Sequence, residues 1–369
     1  MSGGVDSSVA AALLAEQGHE VIGVSMQLYD QTDGNRTFGS CCTLDDLHDA
    51  RRVAAAIDIP HYILNFERQF DEQVVSNFVQ EYASGRTPLP CAHCNSDLKF
   101  STLLERACGF GADRVATGHY ARVDYDAAIG RYILRRGVDA AKDQSYFLFS
   151  LTQEQLARAV FPVGDRPKEA VREYARSRNL PVADKPDSQE ICFIPDNDYA
   201  KFVTAHAPHA ADAQGAIVDE SGRVLGRHEG VHRFTVGQRK GLGLSGVPGV
   251  SGNPGASGRA PVYVLALDAA DQRVVVGPKS SLERTTLTAS GVNWMACEPA
   301  GPLRVTAQIR HRHAPASATV RSIESGRSGL SGRGGHAELV FDVPQIAITP
   351  GQAVVFYQGD MVVGGGWID

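Results

Sequence analysis

The sequence has no apolar run long enough to approach a membrane span, and it has no excess of positive charge. Its 36 Lys and Arg residues are outnumbered by 42 Asp and Glu residues, so any RNA-binding surface must be a local patch. Seven cysteines, an odd number in a 369-residue chain, argue against a secreted disulfide framework. No signal peptide is visible. We therefore expect a cytoplasmic protein that does not associate with a membrane.

The cysteines also lack the pattern of a structural zinc site. Cys91 and Cys94 form the only CxxC pair, whereas a four-ligand zinc site needs a second pair at suitable spacing. They lie in the proline-bounded loop GRTPLPCAHCN, and Cys94 stands just before a helix predicted to begin near Asn95. The dipole of that helix would lower the pKa of the thiol, which favours a nucleophile over an inert loop cysteine. Cys192 lies in the apolar run ICFI, where a buried inert cysteine is the usual interpretation, although the charged residues before it favour a loop edge.

What the chain does have is a loop of small residues at its N-terminus. Ser2-Gly3-Gly4-Val5-Asp6-Ser7-Ser8 runs into an apolar helix that Gly18 is placed to end. Two glycines let the backbone approach a ligand closely, and the first amides of a helix have no internal partners, so the loop suits phosphate. The loop matches neither the GxxxxGK[ST] nor the GxGxxG pattern. On this stretch alone, a capped helix after a glycine-rich turn is the alternative.

This loop resembles the SGGxDS signature of the PP-loop ATP pyrophosphatases. Members of that family bind the pyrophosphate of ATP here and transfer AMP to a substrate oxygen. A loop of this kind normally follows a buried strand, and nothing precedes Met1. We therefore expect that a first strand is missing because the assigned start is late.

Strands alternate with helices in the first half of the chain. The predicted strands are 20–26, 61–66 and 112–120, and the predicted helices include 45–57 and 71–82. This order predicts a doubly wound parallel α/β sheet with ligands at the carboxyl ends of its strands. The N-terminal loop, Met26 and the tip 117–119 would then surround one crevice.

Short alternating strands separated by turns dominate the second half. They predict a small central β-rich domain followed by a C-terminal antiparallel β-barrel. The predicted domains are 1–200 for ATP binding and catalysis, 205–270 for the central domain with a flexible insertion at 245–259, and 275–369 for the barrel. A second flexible loop is predicted at 324–335.

Several longer stretches together resemble the bacterial-type tRNA-specific 2-thiouridylases, the MnmA/TrmU family. They include SGGVDSS, GRTPLPCAHCNSDLKF, ATGHYARV, KDQSYFL, KPDSQEICFI, GRHEGVHRFTVGQRKGLG and AQIRHR, in family order over nearly the whole chain. That family places sulfur on carbon 2 of the wobble uridine of certain tRNAs. The chemistry agrees, because adenylation turns a carbonyl oxygen into a leaving group that a thiolate or persulfide can displace.

The resemblance implies ATP and Mg²⁺ as cofactors, and it assigns the site residues. Cys192 would receive persulfide sulfur from a donor protein. Cys94 would be the nucleophile that completes the transfer, and it could pair with Cys192 as a disulfide. The implied ATP-binding positions are Ser2, Gly3, Gly4, Val5, Asp6, Ser7, Met26 and Gly118, with Asp6 near the magnesium ion. The implied positions for tRNA and its target base are Leu89, Pro90, Cys91, His119, Lys142, Asp143, Gln144, Arg310, His311 and Gln352.

Two departures from the family pattern fall in the target-base loop. Many members carry Asn-Pro where this chain has Leu89-Pro90, which removes one side-chain amide. Some members carry an Asp, thought to assist catalysis, at the position of Cys91. The three cysteines Cys91, Cys94 and Cys192 also raise the hypothesis of an iron–sulfur cluster with one open iron.

Two other classes of function remain as alternatives. Another PP-loop enzyme, such as a small-molecule amidotransferase or ligase, would explain the N-terminal loop but neither the paired cysteines nor the barrel. A non-catalytic RNA- or metal-binding protein would explain the CxxC pair and basic patches, but it leaves SGGVDSS without a role. In the favoured interpretation the protein is a monomer that acts on tRNA with a persulfide donor protein.

Overall fold

The computed structural model describes residues 1–29, 44–187, 191–194, 198–207, 213–244, 261–323 and 335–369. The predicted insertion at 245–259 lies outside these ranges, as do residues 324–334 of the second predicted loop. Within the ranges, no helix combines the length and the apolar character needed to cross a membrane.

Helices are concentrated in the N-terminal half. In chain order they are α1 (Val5–Glu16), α2 (Leu44–Ala56), α3 (Glu67–Phe70), α4 (Ser76–Ala83), α5 (Pro90–His93), α6 (Leu103–Gly109), α7 (Gln153–Arg158), α8 (Lys168–Ser177) and α9 (Tyr199–His206). Wider π-helical segments, Asp71–Val75 and Cys94–Thr102, join α3 to α4 and α5 to α6. Short 3₁₀ turns occupy Ser145–Phe147, Val231–Arg233 and Lys279–Leu282.

Strands of the N-terminal half form two parallel pairs and one antiparallel hairpin. The first six strands are β1 (Gly23–Gln27), β2 (His61–Asn65), β3 (Val115–Ala116), β4 (Ala121–Asp126), β5 (Arg131–Arg136) and β6 (Ala159–Val160). β1 runs parallel to β2, with Gly23 opposite His61, and β3 runs parallel to β6, with Val115 opposite Ala159. Parallel partners need a crossover between them, and helices supply it here, as the alternating pattern predicted.

The helix after the N-terminal loop is buried. Val9 of α1 is fully buried, and α1 shares a hydrophobic core with Val171 and Ala175 of α8. The first turns of α1 and α8 also lie together, because Lys168 of α8 contacts Asp6 of α1. This packing holds the loop 2–8 against a second helix terminus.

The central domain is a four-stranded sheet. Its strands are β7 (Gly215–Asp219), β8 (Val224–His228), β9 (Tyr263–Asp268) and β10 (Arg273–Gly277), in the order β8-β7-β10-β9. β10 runs parallel to β7 and antiparallel to β9. The stretch RVVVG at 273–277, which extends past the predicted start of the barrel at 275, therefore lies in the central sheet.

A closed antiparallel barrel forms the C-terminal part. Its strands are β11 (Glu283–Trp294), β12 (Leu303–Gln308), β13 (Ala316–Ile323), β14 (Gly335–Ile346), β15 (Ala353–Gln358) and β16 (Met361–Ile368). They follow the order β11-β14-β13-β12-β15-β16, and pairing of β11 with β16 closes the ring. Inward-facing residues such as Ala307, Ala318 and Val320 are fully buried.

The β4–β5 hairpin joins the barrel from the N-terminal half. Arg135 of β5 pairs with Met361 of β16, which extends the barrel sheet by two strands. The neighbouring strand β16 contains three consecutive glycines. A Cβ at Gly365 would lie 2.6 Å from the Phe149 ring, so glycine lets the N-terminal core approach the barrel. The sequence analysis did not predict this hairpin.

Candidate active site

The N-terminal loop is held in a tight conformation by two close approaches. Gly3 has a φ of +72°, and a Cβ on it would lie 2.2 Å from the carbonyl oxygen of Asp46. Gly118 lies against the loop from the other side, where a Cβ would come within 2.6 Å of the Ser7 backbone nitrogen. Both positions therefore require glycine. The contact between the loop and Gly118 brings together two of the predicted ATP-binding segments.

The start of α1 leaves backbone amides available. Gly4 is the N-cap and supplies no side-chain cap. The Ser2 backbone N–H donates to Ser7 Oγ at 3.1 Å, while the hydroxyls of Ser7 and Ser8 donate to the Gly4 carbonyl at 3.2 and 2.8 Å. The serine hydroxyls therefore stabilise the loop without capping the helix. Uncapped amides at a helix N-terminus form an anion site.

Lys168 lies beside this loop. Its Nζ donates to both Asp6 carboxylate oxygens, at 2.7 and 2.8 Å, and lies 2.8 Å from Asp187. The Lys168 side chain is only 10% exposed. Tyr120 donates its hydroxyl hydrogen to Asp6 at 2.7 Å, and burial together with the Asp6 charge raises the pKa of Tyr120, so its hydroxyl stays protonated. The loop therefore faces a buried ammonium group and a neutral hydroxyl donor.

Asp187 forms ion pairs with three cationic side chains. Lys142 Nζ donates to it at 2.7 Å and Arg172 Nη2 at 2.8 Å, in addition to the contact with Lys168. Burial alone would raise the pKa of Asp187, but hydrogen bonds from Lys142 and Lys168 outweigh burial and lower this pKa to about 2. Through Lys168, Asp187 therefore links Asp6 of the N-terminal loop to Lys142, a predicted tRNA contact.

The structure corrects the expected helix start beside Cys94. α5 begins at Pro90, which is buried at the first helical position. Proline suits that position because its missing N–H would have no partner there anyway. Cys94 therefore follows the first helical turn, and the predicted effect of a helix N-terminus on its thiol is wrong. Cys94 is buried, whereas Cys91 is exposed.

Cys192 packs on the same apolar core as Cys94. It is partly buried at the edge of the core cluster that contains Cys94, Leu89 and Phe70. Its neighbour Phe193 fixes the segment by an edge-on contact with the Phe70 ring, at a centroid distance of 5.4 Å. The fold thus brings two cysteines that are far apart in sequence to one core.

The cysteines do not fit an iron–sulfur cluster. Within the described ranges, which include Cys91, Cys94 and Cys192, no three His, Cys, Asp or Glu residues are grouped so as to hold a metal ion. The iron–sulfur hypothesis is therefore not supported. Residues Cys41, Cys42 and Ser188–Glu190 lie outside the described part of the chain.

The remaining predicted nucleotide and base positions differ in burial. Met26 is half-buried near the carboxyl end of β1. The His119 ring lies 2.7 Å from Thr117 Oγ1 through Nδ1, and burial holds the pKa of His119 well below its usual range, so the ring is neutral. Leu89 and Pro90 are buried. These placements leave Cys91 as the exposed residue of the 89–91 segment.

The segment 142–144 connects the site to the barrel. Asp143 is buried and accepts hydrogen bonds from Arg136 Nη1 at 2.7 Å and from the Gly137 N–H at 3.1 Å. Arg136 in turn lies over the Tyr357 ring of β15, 3.5 Å from its centroid. Gln144 accepts a hydrogen bond from the Tyr120 N–H. Asp143 and Gln144 are thus engaged within the protein, while Lys142 is partly exposed.

The barrel contributes Arg310, His311 and Gln352. Arg310 and His311 are exposed just after β12. The His311 ring lies 4.5 Å from the Phe147 ring, and desolvation lowers the pKa of His311. Gln352 instead faces the chain before α5, where its Nε2 donates to the carbonyls of Thr87 and Pro88.

Comparison with known proteins covers the whole chain. Family models match at residues 1–196 (tRNA methyl transferase HUP domain), 200–278 (tRNA methyl transferase PRC-barrel domain) and 284–368 (Aminomethyltransferase beta-barrel domain). A tRNA-specific 2-thiouridylase MnmA from Geotalea uraniireducens is 50% identical over 100% of this chain and 93% of its own length. Its namesake from Acidobacterium capsulatum is 50% identical over 100% of this chain and 97% of its own length. The chain belongs to the MnmA family of tRNA-specific 2-thiouridylases.

Membership of the MnmA family confirms the predicted family, fold class and enzyme class. The HUP match corresponds to the predicted nucleotide-binding α/β half, and the two later matches correspond to the central and barrel parts. Domain boundaries and the individual site residues stay predictions. Among solved structures, the NMN synthetase from Francisella tularensis matches at 16% identity with a TM-score of 0.30, over 56% of this chain and 74% of that chain, too weak to inform function.

Sequence reasoning missed two residues of this MnmA-family site, Lys168 and Tyr120. Lys168 lies in KEAVREYARS, whose pattern is that of an ordinary amphipathic surface helix. Tyr120 lies within the stretch ATGHYARV, but nothing local indicates that its hydroxyl reaches Asp6. The sequence signal for Tyr120 is its position within a recognised motif, and Lys168 has no such signal.

Proposed function

We propose that this protein catalyses ATP-dependent 2-thiolation of the wobble uridine of tRNA. The observation that carries the proposal is the start of α1, which has no side-chain cap. Gly118 packs against the loop there, and Lys168 contacts Asp6 in the first turn of the helix. The chain is also 50% identical to a relative named as a tRNA-specific 2-thiouridylase. Glycines, free helix amides and a buried ammonium are the groups that bind a polyphosphate. Neither an amidotransferase nor a passive binding protein accounts for the two cysteines on the adjoining core.

In this proposal the loop 2–8 and Lys168 bind the ATP phosphates. Asp6 fits a magnesium ion because carboxylate oxygens are the ligands that Mg²⁺ prefers, and the ion would neutralise charge on the leaving pyrophosphate. Tyr120 and Lys168 orient the Asp6 carboxylate from two sides. The C2 oxygen of the uridine then attacks the α-phosphorus, and pyrophosphate leaves.

Sulfur transfer follows through the two cysteines. Cys192 accepts a terminal sulfur from a persulfide donor protein, and this sulfur attacks the adenylated C2 carbon and expels AMP. The Cys94 thiolate then attacks the Cys192 sulfur, which breaks the sulfur–sulfur bond, releases 2-thiouridine and forms a Cys94–Cys192 disulfide. An external thiol reduces that disulfide. The donor protein and a monomeric state are part of the same proposal.

Mass analysis of tRNA nucleosides tests this proposal. Incubation with ATP, Mg²⁺ and a persulfide source should give 2-thiouridine and one AMP for each sulfur gained. Cys94→Ser and Cys192→Ser should abolish the sulfur gain, while Cys108→Ser, which changes an exposed cysteine near Arg158, should keep it. ATP–pyrophosphate exchange without tRNA, together with no sulfur gain, would instead indicate another PP-loop enzyme.

A further inference from the structure

The barrel holds the chain that leads into the helix of Cys94. Gln352 Nε2 donates to the Thr87 carbonyl at 3.1 Å and to the Pro88 carbonyl at 3.0 Å. The Thr87 N–H donates to the Pro350 carbonyl at 2.8 Å. Gly351, at a φ of +87°, allows this approach, because a Cβ there would lie 2.9 Å from the Thr87 oxygen. Three hydrogen bonds therefore fix residues 87 and 88 to the turn between β14 and β15.

A second contact with the barrel lies on the other side, directly before Cys94. The His93 ring stacks on the Trp367 ring of β16, with centroids 4.7 Å apart and planes within 2°. Asp97 Oδ2 lies 3.0 Å from His93 Nδ1 and orients the imidazole. Gly291 makes room for Trp367, since a Cβ there would lie 3.3 Å from the Trp367 ring.

The segment between these contacts is the first turn of a longer helical stretch. α5 continues into the π-helical segment Cys94–Thr102 and then into α6, and its N-cap Leu89 supplies no side-chain cap. The first turn of a helix frays readily because its amides have no partners within the helix. Tertiary contacts therefore stabilise the geometry of this turn, and the barrel provides one at each end.

We propose that Gln352 and Trp367 are positioning residues that hold the helical turn before Cys94 between two contacts with the barrel. The proposal rests on the proposed role of Cys94 as the nucleophile. This positioning role is distinct from the direct tRNA contact that the family resemblance implied for Gln352, because both hydrogen bonds from Gln352 Nε2 go to the carbonyls of Thr87 and Pro88. A misplacement of about 1 Å can reduce a rate on the order of 100-fold, so loss of either contact should act on turnover.

Steady-state kinetics of Gln352→Leu and Trp367→Leu test the proposal. Each should lower kcat for thiolation roughly 10- to 100-fold while leaving KM for tRNA within about 2-fold. Trp367→Phe keeps a ring to stack on His93 and should restore most of the activity. Gln358→Leu is the matched control, because Gln358 lies in the same barrel but donates to the Arg304 carbonyl, away from the loop. A rise in KM for tRNA with unchanged kcat in Gln352→Leu would overturn the proposal.

Hydrogen exchange supplies a readout that does not depend on activity. Gln352→Leu should speed amide exchange in residues 85–94, including the Thr87 N–H, and leave the barrel core protected. Gln352→Glu, which keeps the shape but loses the donors, should do the same if Gln352→Leu folds poorly. Unchanged exchange in both variants would contradict the positioning role. If wild-type protein fails to thiolate tRNA, the proposed function fails, yet the exchange result still decides whether the barrel holds this segment.

Discussion

At the scale of single residues, the ion pairs of Asp187 with Lys142, Lys168 and Arg172 hold the charged side chains of the site in place. Lys168 distributes one ammonium group over Asp6 and Asp187, and Lys142 and Arg172 complete the cluster. The contact between Lys168 and Asp6 joins residues that are 162 positions apart in the chain. No local pattern predicts such a pair, because a lysine at the start of an amphipathic helix is usually solvated.

Asp187 should make the free energy of unfolding depend on pH. Its pKa falls from 3.8 to about 2 on folding, so its contribution is fully present above about pH 4 and is lost as the pH falls toward 2. Asp187→Asn should therefore lower the free energy of unfolding by about 2 kcal/mol at pH 7, with the difference from wild type shrinking between about pH 4 and pH 2. Urea denaturation at several pH values measures this.

The matched control for that prediction is Asp184→Asn. Asp184 pairs with Arg176 but is 80% exposed, and exposed pairs are worth about 0–1 kcal/mol. A pH-independent difference between Asp187→Asn and wild type would contradict the assigned cause.

At the scale of elements, the loop before α1 depends on the chain that passes it. Gly118→Ala should raise KM for ATP at least about 10-fold, because the new methyl group would displace the backbone of Asp6 and Ser7. ATP titration measures the effect. Gly109→Ala is the control, since nothing lies within 4 Å of a Cβ there, and it should bind ATP as wild type does. Equal affinity in both variants would show that the loop tolerates movement.

The element scale also shows where sequence patterns succeed and fail. The glycine-serine loop and the alternation of strands and helices predicted α1, β1, α2 and β2, because each depends on local residues. The segment GRTPLPCAHCN was predicted as loop, yet Pro90 begins a helix within it. Proline both breaks and begins helices, and the burial of Pro90 together with the packing of Leu89 against the core decides between the two.

At the scale of the whole molecule, the barrel and the α/β half share one sheet and one buried polar cluster. The β4–β5 hairpin pairs with β16, and Asp143 binds Arg136, which lies over Tyr357. A pattern of short strands in the sequence does not predict such pairing between distant segments. The barrel could be predicted from the sequence, but its connection to the catalytic half could not.

Removal of Asp143 should therefore destabilise the fold rather than only weaken tRNA binding. Asp143→Ala leaves Arg136 without its buried partner, which typically costs about 3–5 kcal/mol. Thermal unfolding should show a lower midpoint. Asp124→Ala, on the β4–β5 hairpin that carries Arg136 but with Asp124 61% exposed, should change stability little. A normal midpoint for Asp143→Ala, with weaker tRNA binding, would indicate that Asp143 acts on tRNA directly.

Activation of the C2 oxygen of the wobble uridine by ATP is the step on which the proposed function depends. The most direct test uses tRNA whose target uridine carries a heavy oxygen isotope at C2, incubated with the protein, ATP, Mg²⁺ and a persulfide source. Mass analysis should find one heavy oxygen in the AMP for each 2-thiouridine formed, because the displaced oxygen leaves on the α-phosphorus. Formation of 2-thiouridine with unlabelled AMP, or no sulfur gain at all, would contradict the account.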